Sequence, residues 1–170
     1  MSIHPVLLSS LLADVVRHGE AEAARIHGLD GYALVGLLPA EVALPSQRTV
    51  ASIRPPPPGL ADAGLELDMV CWPLRRRLPV GRTTVTVGRD PKGDIVIPHA
   101  AVSHAHARFR VGADDVTVED LGSTLGTRIG AQPLAPAGER TLSDGDRVSL
   151  GELPLQFMTA RRLLALLLGG

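Results

Sequence analysis

The sequence is poor in aromatic residues, cysteine and net charge. Of its 170 residues, only Tyr32, Trp72, Phe109 and Phe157 are aromatic, too few for a base-stacking platform that binds single-stranded nucleic acid. A formal net charge of −1 argues against a basic surface that coats nucleic acid or an anionic membrane. Because Cys71 has no second cysteine to pair with, an intramolecular disulfide framework is excluded, as expected for a reducing compartment.

The sequence also lacks a targeting signal and a long apolar run. Met1 to Pro5 carries no Lys or Arg, unlike the basic start of a secretory signal. Ser9, Ser10 and Asp14 interrupt the apolar stretch from Val6 to Val16, and no run approaches the roughly 20 residues that span a bilayer. These features predict a cytoplasmic protein. Its Ala, Leu, Pro and Arg richness suggests a GC-rich bacterial genome.

The chain is predicted to contain a small α/β appendage (1–44), a proline-rich linker (45–64), a β domain (65–158) and a C-terminal helix (159–170). In the appendage, apolar residues from Pro5 onward recur at helical spacing as far as Gly19. A second helix is predicted from Glu20 to His27. A strand follows at Tyr32–Val35, and Pro39 ends it. The appendage is interpreted as a packing cap for the β domain, with a separate docking module as the alternative.

The linker contains the run Arg54-Pro55-Pro56-Pro57-Pro58-Gly59, which predicts an extended polyproline II spacer. The spacing of Pro55 and Pro58 also fits a ligand for an SH3-like groove. At the other end of the chain, Leu163 to Leu168 is apolar all round. This predicts burial of the last helix against the protein's own surface, or alternatively against a partner.

The segment from Leu65 onward consists of short apolar runs separated by Gly, Pro and Asp. Many strands at this spacing are typical of an all-β sandwich or barrel. The predicted strands are Leu65–Trp72, Thr83–Val87, Ile95–Ile97, Ala105–Val111, Val116–Glu119, Thr127–Ile129, Arg147–Leu150 and Leu153–Met158.

Sequence patterns that resemble enzyme motifs are incomplete. Asp94 stands where a P-loop following Gly88 needs lysine. Gly122 to Gly126 imitates a nucleophile elbow but lies between two strands rather than between a strand and a helix. Ser103 and His106 could join Asp114 or Asp120 in a triad, yet most sequences offer such triples. No histidine, cysteine or carboxylate spacing fits a metal site. The sequence therefore predicts a binding protein without catalytic residues, metal or cofactor.

The remaining polar residues lie where strands end, and loops at one end of a sandwich converge in space. Gly88-Arg89, Ser103 and Thr124 occupy three such loops. An Arg guanidinium grips an oxyanion through two donors, while hydroxyls and backbone N–H groups satisfy its other oxygens. These residues predict an oxyanion receptor.

From about Leu65 to Met158 the sequence resembles the forkhead-associated (FHA) domain. The resemblance is carried by landmarks that occur in the family's order: Gly88-Arg89, Asp94 to Ile97, Val102-Ser103 with His106, Asp120 to Thr124, Gly126-Thr127, Leu142 to Asp146, and Val148 to Gly151. It implies an all-β fold of two stacked sheets whose loops at one end bind phosphothreonine in a partner protein. The expected partner is therefore a threonine-phosphorylated protein, namely a Ser/Thr kinase or its substrate.

The resemblance also implies roles for single residues. Arg89 matches the arginine that grips the phosphate, and Ser103 and Thr124 match the hydroxyls that accompany it. Gly88, His106 and Gly126 match positions that shape the loops, with His106 as an internal hydrogen-bonding brace.

Two further positions in the loops depart from the family pattern. His104 follows the serine, where the family has Arg or Lys, and Leu125 replaces an Asn that holds the main chain of the bound peptide. Losing that amide removes contacts worth about 1–3 kcal/mol. The sequence therefore predicts weakened phosphothreonine recognition in which His104 and Leu125 contact the ligand, with a phosphate-independent protein scaffold as the alternative.

Overall fold

The computed structural model describes residues 3–37, 58–66, 68–74 and 83–169. Two β-sheets pack face to face, and four helices cover part of the larger sheet. The elements in chain order are β1 Val6–Leu7, α1 Leu8–His18, α2 Glu20–His27, β2 Tyr32–Gly36, α3 Pro58–Asp62, β3 Val70–Leu74, β4 Thr83–Gly88, β5 Ile95–Val96, β6 Ala107–Val111, β7 Val116–Asp120, β8 Thr127–Ile129, β9 Gln132–Pro133, β10 Glu139–Thr141, β11 Arg147–Leu150, β12 Leu153–Thr159 and α4 Ala160–Leu168. This confirms the predicted all-β sandwich.

The larger sheet has seven strands in the order β1-β3-β2-β12-β11-β8-β9, and its neighbouring strands are antiparallel. β2 lies between β3 and β12, so a strand predicted in the N-terminal appendage is an interior strand of the sandwich. The sheet thus runs across the predicted boundary between residues 44 and 45.

The smaller sheet has five strands in the order β10-β7-β6-β4-β5. β4 and β5 are parallel, whereas its other pairs are antiparallel. Alternation fixes which side chains face inward: Val85 and Val87 on β4 are buried, while Thr84 is exposed and Thr86, between the two valines, is partly exposed. β4 ends at Gly88, which places Arg89 at one end of the sandwich.

The core between the sheets is built around the fully buried rings of Trp72, Phe109 and Phe157. Tyr32 stacks on Phe157 with ring centroids 5.4 Å apart. Burial of these rings, together with the aliphatic side chains of both sheets, stabilises the sandwich.

A second core lies between the helices and the larger sheet. Ala33, Val35 and Met158 project from the sheet into it. α4 contributes Leu163 and Leu167 to the same core, which confirms the predicted burial of this helix against the protein itself. Not every apolar residue of α4 is buried, however, since Ala165 and Leu168 are exposed.

The predicted start of the first helix is wrong. Val6 and Leu7 form a strand that pairs with Cys71 and Val70, and the helix begins only at Leu8. Pairing with the edge of β3 outweighs the helical spacing of these residues, because tertiary contacts readily override a local pattern. The predicted ends of both helices at Gly19 and Gly28 are confirmed.

Part of the predicted linker also differs. Pro58 and Gly59 were expected in polyproline II but begin α3, because the fixed φ of proline suits the first turn of a helix. Residues 45–57, including Arg54 to Pro57 and the first proline of the PxxP pattern, lie outside the described residues. The strand predicted from Leu65 begins at Val70 instead, and Leu65 packs in the second core.

No helix within the described ranges is long and apolar enough to cross a membrane.

Candidate anion-binding site

The loop after β4 lies directly against the loop before β6. The Arg89 N–H donates a 2.9 Å hydrogen bond to the Ser103 carbonyl oxygen, and the Asp90 N–H donates one of 3.0 Å to the His104 carbonyl oxygen. A Cβ atom at position 88 would lie 2.1 Å from the His104 carbonyl oxygen, so only glycine permits this approach. Gly88 therefore allows the backbone of Arg89 to lie beside Ser103.

The hydroxyl of Ser103 links this pair of loops to a third, the loop between β7 and β8. The Thr124 N–H donates a 3.0 Å hydrogen bond to Ser103 Oγ. Ser103 Oγ also lies 3.3 Å from Thr124 Oγ1. The structure thus brings together the two hydroxyls that the sequence predicts in the site.

The buried side chain of His106 stabilises the same loops through two hydrogen bonds. Its Nδ1 atom accepts a 3.0 Å hydrogen bond from the Ser103 N–H, and its Nε2 atom lies 3.2 Å from the Gly126 carbonyl oxygen. Because Nδ1 accepts, the proton is assigned to Nε2, which donates to Gly126. The side chain is fully buried, and this burial lowers the pKa of His106, although the hydrogen bond to Gly126 opposes the shift. The neutral ring supports the predicted bracing role.

Asp120 organises the loop that carries Thr124. Its Oδ1 atom accepts 2.9 Å hydrogen bonds from the N–H groups of Gly122 and Ser123. Its Oδ2 atom accepts from the hydroxyls of Ser123 at 2.7 Å and Thr127 at 2.6 Å. Burial raises the pKa of Asp120, but these hydrogen bonds outweigh it and the net pKa is lowered.

The bracing role of Asp120 is missing from the sequence prediction, which uses this residue only as a landmark and a triad candidate. An Asp followed two residues later by Gly is a signal for an Asx turn and could have revealed the role. The structure also excludes a catalytic triad of Ser103, His106 and Asp120. The Ser103 hydroxyl contacts Thr124, and Nδ1 of His106 accepts a hydrogen bond from the Ser103 backbone N–H.

The rim of the site is exposed. The side chains of Arg89, His104, Thr124 and Leu125 are accessible to solvent. Within the described residues, the guanidinium of Arg89 makes no ion pair or hydrogen bond. An unpaired guanidinium on a loop that also holds two hydroxyls can bind an oxyanion through charge-assisted hydrogen bonds.

The family model of the FHA domain matches residues 85–151. The chain contains an FHA domain. The segment that matches the family model includes all the predicted site residues, from Gly88 and Arg89 to Leu125 and Gly126. The match is narrower than the predicted domain (65–158), and β1, β2, β3, β12 and the four helices lie outside it.

Two bacterial proteins are similar to about half of the chain. The glycogen accumulation regulator GarA of Mycolicibacterium smegmatis is 35% identical over 83 residues, which are 49% of this chain and 51% of GarA. The oxoglutarate dehydrogenase inhibitor of Corynebacterium diphtheriae is 36% identical over 86 residues, which are 51% of this chain and 58% of the inhibitor. The chain therefore spans little more than half the length of these relatives, which are named as a regulator and an inhibitor.

Among solved structures, the FHA domain of the CT664 protein from Chlamydia trachomatis is similar with a TM-score of 0.49 and 22% identity. The alignment covers 75% of this chain and 96% of the Chlamydia chain.

Other acidic residues of the FHA domain stabilise a turn at a distance from Arg89 along the chain. Asp146 accepts a 2.8 Å hydrogen bond from the Ser143 N–H, and Asp144 accepts one of 2.8 Å from the Thr159 N–H. The first contact stabilises the turn before β11, and the second connects this turn to the end of β12. In the ranges that the structure describes, no three His, Cys, Asp or Glu side chains are grouped as metal ligands.

Proposed function

We propose that the chain is a phosphothreonine-dependent protein-binding module that acts as a signalling adaptor. The observation that carries this proposal is the joined set of loops in which Ser103 and Thr124 share a hydrogen bond beside the backbone of Arg89. Phosphothreonine brings about −1.5 to −2 charges near neutral pH and three acceptor oxygens. A guanidinium and two hydroxyls supply the complementary charge and donors.

Recognition by this site is proposed to be weaker than the family pattern implies. Leu125 has no side-chain amide with which to bind the main chain of a peptide. His104 occupies the position at which the family has a permanent cation. The loops around them are nevertheless intact, since His106 accepts a hydrogen bond from the Ser103 N–H and Asp120 accepts one from Ser123, the residue before Thr124. Phosphate binding therefore survives, and the peptide is held by fewer contacts.

The proposed partner is a threonine-phosphorylated protein, either a Ser/Thr kinase or one of its substrates. Such a partner places the module in the cytoplasm and requires no catalysis by the chain itself. The regulator and inhibitor names of the two relatives agree with a role in controlling another protein.

The proposal is tested with three peptide libraries that share randomised flanks and differ only in a fixed central residue. Phosphothreonine, unmodified threonine and phosphoserine are compared by fluorescence anisotropy. Binding of the phosphothreonine library alone is expected, because the receptor needs the phosphate charge and the site resembles one that reads threonine. Equal binding of the threonine library would contradict the proposal.

A phosphate-independent scaffold is the second candidate function, favoured by the 54% exposed Leu125 on the rim of the site. A scaffold buries such side chains against its partner without needing an anion. The two candidates are separated by capturing partners from a lysate with and without phosphatase treatment. A phosphopeptide reader loses its partner after treatment, whereas a scaffold retains it.

A further inference from the structure

An apolar surface adjoins the anion-binding residues where three loops meet at Gly151, between β11 and β12. The Gly151 N–H donates a 2.9 Å hydrogen bond to the Gly126 carbonyl oxygen. Gly151 has a φ of +60°, and a Cβ atom there would lie 2.4 Å from the Ala101 carbonyl oxygen and 3.1 Å from the Leu125 Cβ atom. Glycine at this position therefore allows the loops bearing Ala101 and Leu125 to pack closely.

Leu125 is the large apolar side chain of this surface. Its side chain is 54% exposed, and the neighbouring Ala100 is also exposed. Its position is fixed on both sides in the chain, because the Thr124 N–H binds Ser103 Oγ and the Gly126 carbonyl accepts from Gly151. Leu125 is thus held immediately beside the anion-binding hydroxyls rather than on a loose loop.

The chemistry of this surface favours one class of ligand flank. Leucine, alanine and glycine offer no side-chain hydrogen bond or charge to a polar residue of the ligand. An apolar ligand side chain that covers Leu125 removes hydrocarbon surface from water on both molecules, which is favourable. A polar ligand side chain at the same place loses water contacts and gains no partner.

We infer that Leu125 makes the site selective for phosphothreonine ligands that carry an aliphatic side chain next to the phosphorylated residue. The inference rests on the proposed phosphothreonine function and adds the class of ligand. The family's Asn contacts the peptide main chain, which is the same in every ligand sequence. Leu125 instead contacts one type of ligand side chain.

The test uses two phosphothreonine libraries of equal net charge, with aliphatic or with uncharged polar residues at the positions flanking the phosphothreonine. Dissociation constants are measured for the wild type, for Leu125→Asn and for Leu168→Asn. Leu168 is the matched control because it is 49% exposed and lies on α4, outside the FHA match. Burying one or two methylene-sized groups gives an expected preference of about four- to fifteenfold for the aliphatic library.

The wild type and Leu168→Asn are expected to show this preference, whereas Leu125→Asn binds the two libraries equally. If the wild type binds both libraries equally but still rejects their unphosphorylated forms, the inference is wrong and the proposed function stands. If Leu125→Asn keeps the aliphatic preference, another surface produces it and the inference is also wrong. Binding that ignores the phosphate in every library would overturn both proposals.

Discussion

The backbone amide of Thr124 donates a 3.0 Å hydrogen bond to the side-chain oxygen of Ser103, 21 residues earlier in the chain. This contact joins two loops whose hydroxyls would both meet a bound phosphate. Ser103 consequently has two roles, since it offers its own hydroxyl and fixes the position of Thr124.

The first prediction follows from this double role. Ser103→Ala removes a phosphate ligand and also releases the Thr124 amide, whereas Thr124→Val removes one hydroxyl and leaves its amide bound. We expect Ser103→Ala to weaken phosphopeptide binding by about tenfold or more, and Thr124→Val by less. Titration calorimetry measures both, with Thr141→Val on the exposed strand β10 as the control. Unchanged affinity of Ser103→Ala would contradict the account of the site.

The second prediction concerns Gly88. Gly88→Ala places a methyl group against the backbone of His104, because the added Cβ atom would lie only 2.1 Å from the His104 carbonyl oxygen. Because the obstacle is backbone, we expect a loss of more than about 2 kcal/mol in the free energy of unfolding, with weakened ligand binding. Gly31→Ala is the matched control, since the nearest atom to its Cβ would be 3.9 Å away. Urea denaturation of both variants checks this, and equal stability of the two would show that the loops separate without cost.

The third prediction is a pH dependence of stability. Burial lowers the pKa of His106 in the folded protein, so its protonation favours the unfolded chain. The contribution of His106 to the free energy of unfolding should therefore be constant above about pH 7 and fall as the pH drops below about 6.5, the ordinary histidine value. The slope can reach about 1.4 kcal/mol for each pH unit between the unfolded and folded pKa values.

Replacement of His106 tests the assignment. His106→Gln removes the titrating group, so the slope between about pH 7 and pH 5.5 should shrink. Thr141→Val, which changes an exposed residue of β10 that does not titrate, should keep the wild-type slope. The lowered pKa of Asp120 acts in the same direction, but only below about pH 4. A slope that persists in His106→Gln would assign it to another group.

The fourth prediction concerns His104 on the exposed rim. If His104 contacts the phosphate, His104→Ala should weaken phosphopeptide binding, and His104→Arg, which restores the cation of the family pattern, should strengthen it by about threefold or more. Calorimetric titrations of the wild type and both variants at one pH measure these effects. Equal affinities of the three proteins would exclude a role for this side chain.

The sandwich could be predicted from the sequence because its interior strands alternate. Val85 and Val87, for example, are buried and separated by a threonine, as period two requires. β9 and β10 could not be found in this way, because every residue of Gln132–Pro133 and Glu139–Thr141 is exposed. Strands at the edge of a sheet are determined by their neighbours and carry little hydrophobic pattern of their own.

Local sequence patterns also could not predict that the N-terminal region supplies a strand of the larger sheet. Tyr32–Gly36 is readily predicted as a strand, but its place between β3 and β12 depends on pairing with residues more than a hundred positions away. In the site, the residue types of Arg89, Ser103 and Thr124 indicate an oxyanion receptor. The hydrogen bonds of His106 and Asp120 that hold these loops depend on tertiary contacts, which spacing alone does not define.

The most direct test of the central claim compares phosphopeptide binding by Arg89→Ala and Arg161→Ala in calorimetric titrations. Arg161 is an exposed arginine of α4, so its loss changes net charge equally without touching the site. The account predicts that Arg89→Ala loses about ten- to a hundredfold in affinity, with an unchanged urea unfolding midpoint, while Arg161→Ala binds like the wild type. Wild-type affinity in Arg89→Ala would contradict the claim that this guanidinium holds the phosphate.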